Sequence, residues 1–195
     1  MNLAFATATA ADAAALARLQ TSANRHLLAR HGRDAAKCLV TEATVLNGMK
    51  NARVLAALCE GEIIGLLFLA KKKPWAIDPA YFTPVSRPLY LTNMAVAPDW
   101  QRQGVGRQLL DHARSVARAW PGDALRLDAY DNETGAGGFY EKCGFREVAR
   151  VTYRNTPLIY YELVLPARRE TAVTPAPPPK KASPSPPADS IPRPA

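Results

Sequence analysis

Apolar positions fall in short blocks along residues 1–166, and the spacing within them switches repeatedly between strand and helix periods. Leu3-Ala4-Phe5-Ala6-Thr7 reads as a short first strand. Thr9 followed by Asp12 is a Ser/Thr-x-x-Asp/Glu capping signature, and it predicts a helix on which Leu16, Leu19, Ala23 and Leu27 share one face. A second helix, about Thr41 to Lys50, carries Val45, Leu46 and Met49. Arg53–Cys59 and Glu62–Ala70 are apolar runs of strand length, joined through Glu60-Gly61 as a hairpin with glycine supplying φ > 0. A strand at Leu89–Ala97, a helix at Gly104–Ala119 and a strand at Ala124–Tyr130 make a βαβ unit, with parallel strands and a right-handed crossover. A short helix near Gly135–Cys143 and two closing strands, about Phe145–Tyr153 and Leu158–Leu165, complete the pattern.

Between the hairpin and the βαβ unit lie 18 residues, Lys71 to Pro88, with four prolines and the aromatics Trp75, Tyr81 and Phe82. Loops of that length inside a compact domain carry function or lack order. Two readings stand side by side: a substrate-side wall, or an elaborated hairpin packing its own aromatics.

Composition alters this picture at the C-terminus. The chain has 195 residues, 48% hydrophobic and 22% charged, as soluble globular proteins have. Its 17 prolines are roughly twice the usual share, and nine lie between Pro175 and Pro194. Residues 1–166 are therefore expected to be the folded domain, and 167–195 a disordered, locally polyproline-like extension. A Pro-Ser-Pro-Pro run in that tail also matches ligands of SH3- or WW-type modules.

The net charge of +8 divides too. Arg168, Arg169, Lys180, Lys181 and Arg193 against Glu170 and Asp189 give the tail +5 − 2 = +3, leaving +5 on the domain. That excess suits a polyanionic small molecule. The basic residues are dispersed and no recognition motif appears, so no nucleic-acid partner is expected. Three cysteines without metal-ligand spacing fit a reducing compartment and imply neither a disulfide framework nor a metal site. The longest apolar stretch, Ile63 to Ala70, is far short of a membrane span, and the Ala-rich N-terminus lacks a basic region ahead of it. A cytoplasmic protein with no membrane partner is the expectation.

The chemistry concentrates in Met94-Ala95-Val96-Ala97-Pro98-Asp99-Trp100-Gln101-Arg102-Gln103-Gly104-Val105-Gly106-Arg107. A strand runs out, turns through polar residues and enters a helix at paired glycines. The first N–H groups of a helix have no internal partner and carry partial positive charge, so this is a phosphate cradle to which Arg102 and Arg107 add charge. Taken alone the motif is weak: the third glycine of a dinucleotide fingerprint and the Lys-Ser/Thr of a Walker loop are both absent. On the helix, Val105, Leu109, Ala113 and Val116 are read as facing inward, with Arg107, Asp111, Arg114 and Arg118 outward.

The second cluster, Asp131-Asn132-Glu133-Thr134-Gly135-Ala136-Gly137-Gly138-Phe139-Tyr140-Glu141-Lys142-Cys143-Gly144-Phe145, follows the next parallel strand and returns to the same sheet edge. Three glycines in a short helix cost about 1 kcal/mol each relative to alanine, which predicts close approach of something to that helix. Gly144 is placed to stop it.

Gln101-x-x-Gly104-x-Gly106 after Met-Ala-Val-Ala-Pro-Asp-Trp, followed by Asn132 and Phe-Tyr-Glu-Lys-Cys-Gly-Phe, resembles the GNAT superfamily of acyl-CoA-dependent N-acetyltransferases. The resemblance implies an α/β (α+β) fold: a mixed, mostly antiparallel sheet with a splayed parallel pair, flanked by helices. It implies acetyl-CoA as cosubstrate and a primary amine, on a small molecule or a protein, as acceptor; it is also compatible with a homodimer. By the same resemblance Arg102, Gln103, Gly104, Val105, Gly106 and Arg107 would hold the CoA pyrophosphate. The backbone of Met94, Ala95 and Val96 would pair with the pantetheine arm, Asn132 would hydrogen-bond the cofactor from across the cleft, and Tyr140 would be the general acid.

The base is less legible. Some relatives carry a glutamate on the strand before the signature, but Thr92, Asn93 and Met94 offer no carboxylate, and another common glutamate position falls on Leu127. Asp128 is the nearest carboxylate, on the opposite strand face from Leu127. A base acting through water, or an acceptor already deprotonated, is an equal reading. A non-catalytic acyl-CoA-binding module is the alternative function. Other residues read blandly: His26, His31 and His112 as solvated or core-edge histidines, Cys143 as packing, Lys71-Lys72-Lys73 as a solvated strand end, and Tyr153, Tyr160 and Tyr161 as strand packing or acceptor-pocket lining.

Overall fold

Leu3–Thr7 (β1), Ala52–Cys59 (β2), Glu62–Ala70 (β3), Pro88–Val96 (β4), Ala124–Tyr130 (β5), Arg146–Tyr153 (β6) and Thr156–Val164 (β7) join one sheet in the order β1-β2-β3-β4-β5-β7-β6. The structure, a computed structural model, describes residues 2–30, 38–132 and 136–166. The expected tail at 167–195, His31, and residues 133–135 at the start of the expected short helix lie outside the described residues.

The helices are Ala13–Arg30 (α1), Glu42–Met49 (α2), Val105–Ala119 (α3) and Gly137–Lys142 (α4). The Thr9–Asp12 signature acts as read, because the Asp12 carboxylate accepts the Thr9 N–H at 2.7 Å. It opens a single 3₁₀ turn, Ala10–Asp12, and α1 proper begins one residue later. Thr41 caps α2 by accepting the Thr44 N–H at 3.2 Å. Glu60 and Gly61 both take positive φ, +51° and +84°, the pairing that matches a two-residue turn to strand twist.

Every strand pair is antiparallel except β4 with β5. That pair is registered only from Pro88–Tyr90 against Ala124–Arg126. Beyond Tyr90 the two strands part, β5 continuing along β7 and β4 along β3, so the sheet opens at its centre. β4 also carries a bulge, since Leu66 opposes Ala95 while Phe68 opposes Thr92. Asn93 within it has φ of +51°.

Strand alternation sorts the core onto two faces. Leu67 and Leu69 of β3, Leu89 and Leu91 of β4, and Leu125 and Leu127 of β5 pack with α3 and α4. Leu66, Phe68 and Ala95 pack on the other face against Ala13, Leu16 and Leu19 of α1 and Val45 of α2. On α1 the apolar stripe ends early, because Leu27 is exposed. On α3 the buried set is Val105, Leu109, Leu110, Ala113 and Ala117, with Val116 at its edge. Arg114 does not point simply outward: it donates to Asp111 at 3.0 Å and to the Cys143 carbonyl, tying α3 to the end of α4.

The segment between β3 and β4 packs its own aromatics, the second of its two sequence readings. Ile77 and Phe82 are buried beside Tyr90 and Tyr160 as a third small core. The Tyr160 hydroxyl donates to the Ala76 carbonyl and accepts the Asp78 N–H at 3.3 Å. Farther along, Thr83 is clasped by a buried ion pair. Glu162 accepts the Thr83 N–H at 3.2 Å, Arg126 donates to the Thr83 carbonyl, and the two side chains meet at 3.1 Å. Trp75, by contrast, is 86% exposed at the rim of a cavity. The segment is a wall, packed by its own aromatics and pinned at two points.

Candidate functional site

Two cavities flank the opening between β4 and β5. One of about 460 Å³ lies on the α3/α4 face, lined by Met94, Ala95, Val96, Arg102, Gly104, Gly106, Arg107 and Tyr140 of the expected residues, together with Trp100, Gln101, Ala136 and Phe139. The other, about 820 Å³, lies between the wall and the β5–β7 side; Asp128, Asn93, Trp75 and Tyr153 line it.

Sequence alone puts a turn ahead of α3; the structure shows how it is made. Gly104 occupies the helix N-cap at φ +83°, a left-handed conformation that costs an L-residue about 1–2 kcal/mol. No side chain caps that end and its first turn holds no acidic group, so the leading amides open into the cavity between Arg102 and Arg107. The first helical bond is Gln108 N–H to Gly104 carbonyl, at 3.1 Å. Gly106 has a different reason: a Cβ there would sit 3.2 Å from Phe139 and 3.3 Å from Met94, so its absence lets α4 and β4 close over the first turn. Gln101, which the motif names but the site assignments leave aside, donates to the Val96 carbonyl at 3.1 Å and holds the turn against β4.

Three expected cofactor residues stand apart from the cavity lining. Val105 is buried in the core, where a β-carbon-branched side chain anchors the helix. Gln103 turns back to donate to the Asp99 carbonyl at 2.7 Å. Asn132 is exposed beyond the end of β5 and is not among the residues lining either cavity.

Tyr140 reaches the cavity from α4. It is 8% exposed and ringed by Phe139, Phe145 and Tyr161. Its hydroxyl faces the Met94 sulfur at 3.9 Å. Burial pushes its pKa well above the ordinary tyrosine value, with the negative charges of Asp128 and Cys143 adding to the rise. The helix ends as read: Gly144, at φ +84°, donates to the Glu141 carbonyl at 2.8 Å and Phe145 N–H to the Tyr140 carbonyl at 3.0 Å, a Schellman stop. The close approach to α4 that is observed, at Gly137, comes from protein. A Cβ on Gly137 would collide with the Tyr161 hydroxyl, while Gly138 faces open space.

Asp128 pairs with Tyr160 across β5–β7, which puts it on the wall face, opposite Leu127. Burial raises its pKa above the ordinary carboxylate value. Tyr140 and Asp128 thus approach the open centre of the sheet from opposite faces. Sequence reasoning passed over Asn93, whose only signal was an Asn in a strand, a residue tolerant of left-handed φ. Of the bland residues, Cys143 packs in the core and Tyr160 and Tyr161 are buried, while Tyr153 lines the larger cavity. His112 stacks on Phe5 with ring centres 5.4 Å apart, and burial lowers its pKa. Lys73 is engaged by the wall through the Ile77 carbonyl at 2.7 Å. Among the described residues no His/Cys/Asp/Glu group could hold a metal, and no helix is long and apolar enough to cross a membrane.

The smaller cavity suits an anion joined to an extended arm: helix amides and two arginines at one end, an unpaired strand edge along its length, and a protonated phenol. The acetyltransferase (GNAT) domain profile matches residues 50–147. An aminoglycoside N(6′)-acetyltransferase type 1 from Stenotrophomonas maltophilia is 31% identical over 155 residues, which are 77% of this chain and 91% of that protein. The PaiA N-acetyltransferase of Thermoplasma acidophilum, solved in complex with coenzyme A, superposes with a TM-score of 0.64 at 15% identity, covering 84% of this chain and 100% of that one. The ribosomal-protein-S18-alanine N-acetyltransferase of Escherichia coli gives 0.63 at 18% identity over 87% and 98%. At these identities the structural likeness is one of fold. With a split parallel pair at the centre of the sheet and a glycine-capped helix beside it, this chain belongs to the GNAT superfamily of acetyl-CoA-dependent N-acetyltransferases.

Proposed function

We propose that the domain at 1–166 transfers the acetyl group of acetyl-CoA to a primary amine entering from the wall face, with Tyr140 as general acid and Asp128 as the carboxylate on the amine side. The observation that carries this is the placement of those two groups on opposite faces of the gap between β4 and β5. The residues fit the cofactor. The α3 amides from Gly104 onward, with Arg102 and Arg107, match a pyrophosphate, and the β4 edge at Met94–Val96 offers ladder groups to the amides of an extended arm. Acetyl-CoA supplies an activated acyl thioester when bound there. Gln103 and Val105 would then contribute through their backbone, their side chains being committed elsewhere.

The chain's own groups divide the proton work. The amine must arrive neutral, and Asp128, directly or through one water, is the acceptor of its proton. Backbone N–H groups at the β4 bulge are fixed dipoles for the charge developing on the acyl oxygen. Tyr140 stays protonated throughout the neutral range because burial and the nearby carboxylate disfavour phenolate. Delivering that proton to a thiolate, ordinarily near ~8.5, is uphill while Asp128 is charged and alone. It eases when Asp128 takes up the amine's proton, so the two transfers are linked.

The test is release of free thiol from acetyl-CoA across a panel of amines, with Tyr140→Phe and Asp128→Asn alongside. Tyr140→Phe keeps the ring packing and removes only a hydroxyl facing a sulfur, so kcat is expected to fall about 10²–10⁴-fold with the fold intact. Unchanged turnover at saturating acetyl-CoA removes Tyr140 from the mechanism. Binding of acetyl-CoA without thiol release on any amine returns the chain to the reading of an acyl-CoA-binding module.

A further inference from the structure

Resting on amine acetylation at this site, we infer that the acceptor is an amphoteric amine of dipeptide size: one amine, an apolar middle and an anionic group at the far end. The wall-side cavity holds two charged side chains among the described residues, Asp128 and Arg154, and they are opposite in sign. Neither forms an ion pair there with another described residue. Asp128 lies at the depth of the sheet opening, while Arg154 stands at the tip of the β6–β7 hairpin, its guanidinium over the Tyr153 ring at 5.4 Å. Tyr130 opposes Leu158 of β7, between the levels of those two residues, and Trp75 lines the same cavity; they are 57% and 86% exposed, which is unusual for side chains so large and apolar.

The spacing selects a length. Tyr160 opposes Asp128 and Thr156 opposes Tyr153, the residue before Arg154. The charged ends therefore lie between four and five residue steps apart along β7, about 15 Å, and two strand spacings apart across it, about 10 Å, which is about 18 Å at the backbone. An α-amino acid, with both charges on one carbon, cannot engage both ends. Both side chains line the cavity, and a two-residue peptide spans about 7 Å of that distance, with the Asp and Arg side chains and their contacts covering the rest. A polycationic acceptor fits worse, since amine groups beyond the first would meet Arg154 instead of a carboxylate.

The experiment compares kcat/KM, by thiol release, for Phe-Ala, its C-terminal amide, spermidine and an aminoglycoside, with calorimetric binding of the same four compounds. The variants are Arg154→Asn and Arg154→Asp, chosen because those residues accept the φ of +47° at this position. The free dipeptide is expected to exceed its amide by about 10–100-fold, the range of a charge-assisted hydrogen bond. Arg154→Asn should bring that ratio close to one, and Arg154→Asp should shift preference toward spermidine. Equal use of Phe-Ala and its amide by the wild type, or a preference for the polycations that Arg154→Asn leaves unchanged, overturns the inference while amine acetylation stands. Arg154-dependent binding of Phe-Ala without thiol release overturns acetyl transfer and keeps the binding assignment. Absence of both binding and turnover with all four compounds overturns the inference.

Discussion

Replacing Glu162 by alanine tests the claim that a buried ion pair holds the wall of the larger cavity. Both members are almost fully enclosed, Arg126 at 4% and Glu162 at 2% exposure. The Glu162 carboxylate accepts from Arg126 at 3.1 Å and from the Thr83 N–H at 3.2 Å, while Arg126 also rests on the Phe82 ring at 4.8 Å. Arg146 approaches the same carboxylate at 3.5 Å, but its side chain is 69% exposed and adds little. Removing the carboxylate leaves a buried guanidinium without its counter-charge, which costs about 3–5 kcal/mol. At about 2–4 °C per kcal/mol for a domain of this size, Tm should fall by about 6–20 °C.

A functional signature should accompany the loss. Thr83 loses one of its two backbone anchors, so the wall bearing Trp75 loosens, and KM for the acceptor should rise while KM for acetyl-CoA holds. Urea unfolding and paired steady-state kinetics measure the two effects. The control is Arg126→Met with Glu162→Leu, which removes both charges and should recover most of the stability. A loss below about 1 kcal/mol for Glu162→Ala, or a double variant no better than the single one, refutes the reasoning.

Gly137→Ala should destabilise because its methyl meets the Tyr161 hydroxyl, whereas Gly138→Ala, in open space, should be neutral or gain up to about 1 kcal/mol from helix propensity; thermal melts that rank them equally contradict this. Gly104→Ala should cost about 1–2 kcal/mol and raise KM for acetyl-CoA more than for the acceptor, read by melts and steady-state kinetics. Because burial raises the Asp128 pKa, the folded state keeps a proton that the unfolded state has released. The stabilisation is present below about pH 3.9 and is lost as pH rises through the raised value. Asp128→Asn should remove that decline, so wild-type stability relative to the variant should fall as pH rises from 3 to 7; a difference that is flat or grows with pH in urea titrations contradicts the assignment.

Local rules made much of this protein legible. Strands and helices followed apolar periodicity closely, the Glu60-Gly61 and Gly144 turns followed from glycine's freedom at positive φ, and Thr9 marked a helix start by its capping chemistry. The Gly104–Gly106 motif likewise marked the helix N-terminus that the structure leaves without a side-chain cap, because the physics of a helix start is contained within a few adjacent residues. Errors arose where packing between distant segments outweighed local pattern. Leu27 continues the stripe of α1 yet is 42% exposed, and Arg114, read as facing outward on α3, turns to the Cys143 carbonyl.

What only the tertiary structure decided is how the two cavities come to flank one opening in the sheet. β4 and β5 part after three registered pairs, each keeping its other partner, β3 or β7, along its far edge, while β4 bulges around Asn93; the parting shows only once all four strands are assembled. The parting puts Tyr140 and Asp128 on opposite sides of one opening. It also sets Asp128 and Arg154 at two ends of one cavity, though 26 positions separate them in the chain. The sequence determined the elements, since helix and strand formation are governed by neighbours a few residues away. The site was decided by burial, register and long-range ion pairs such as Arg126–Glu162, which exist only once the whole sheet has formed.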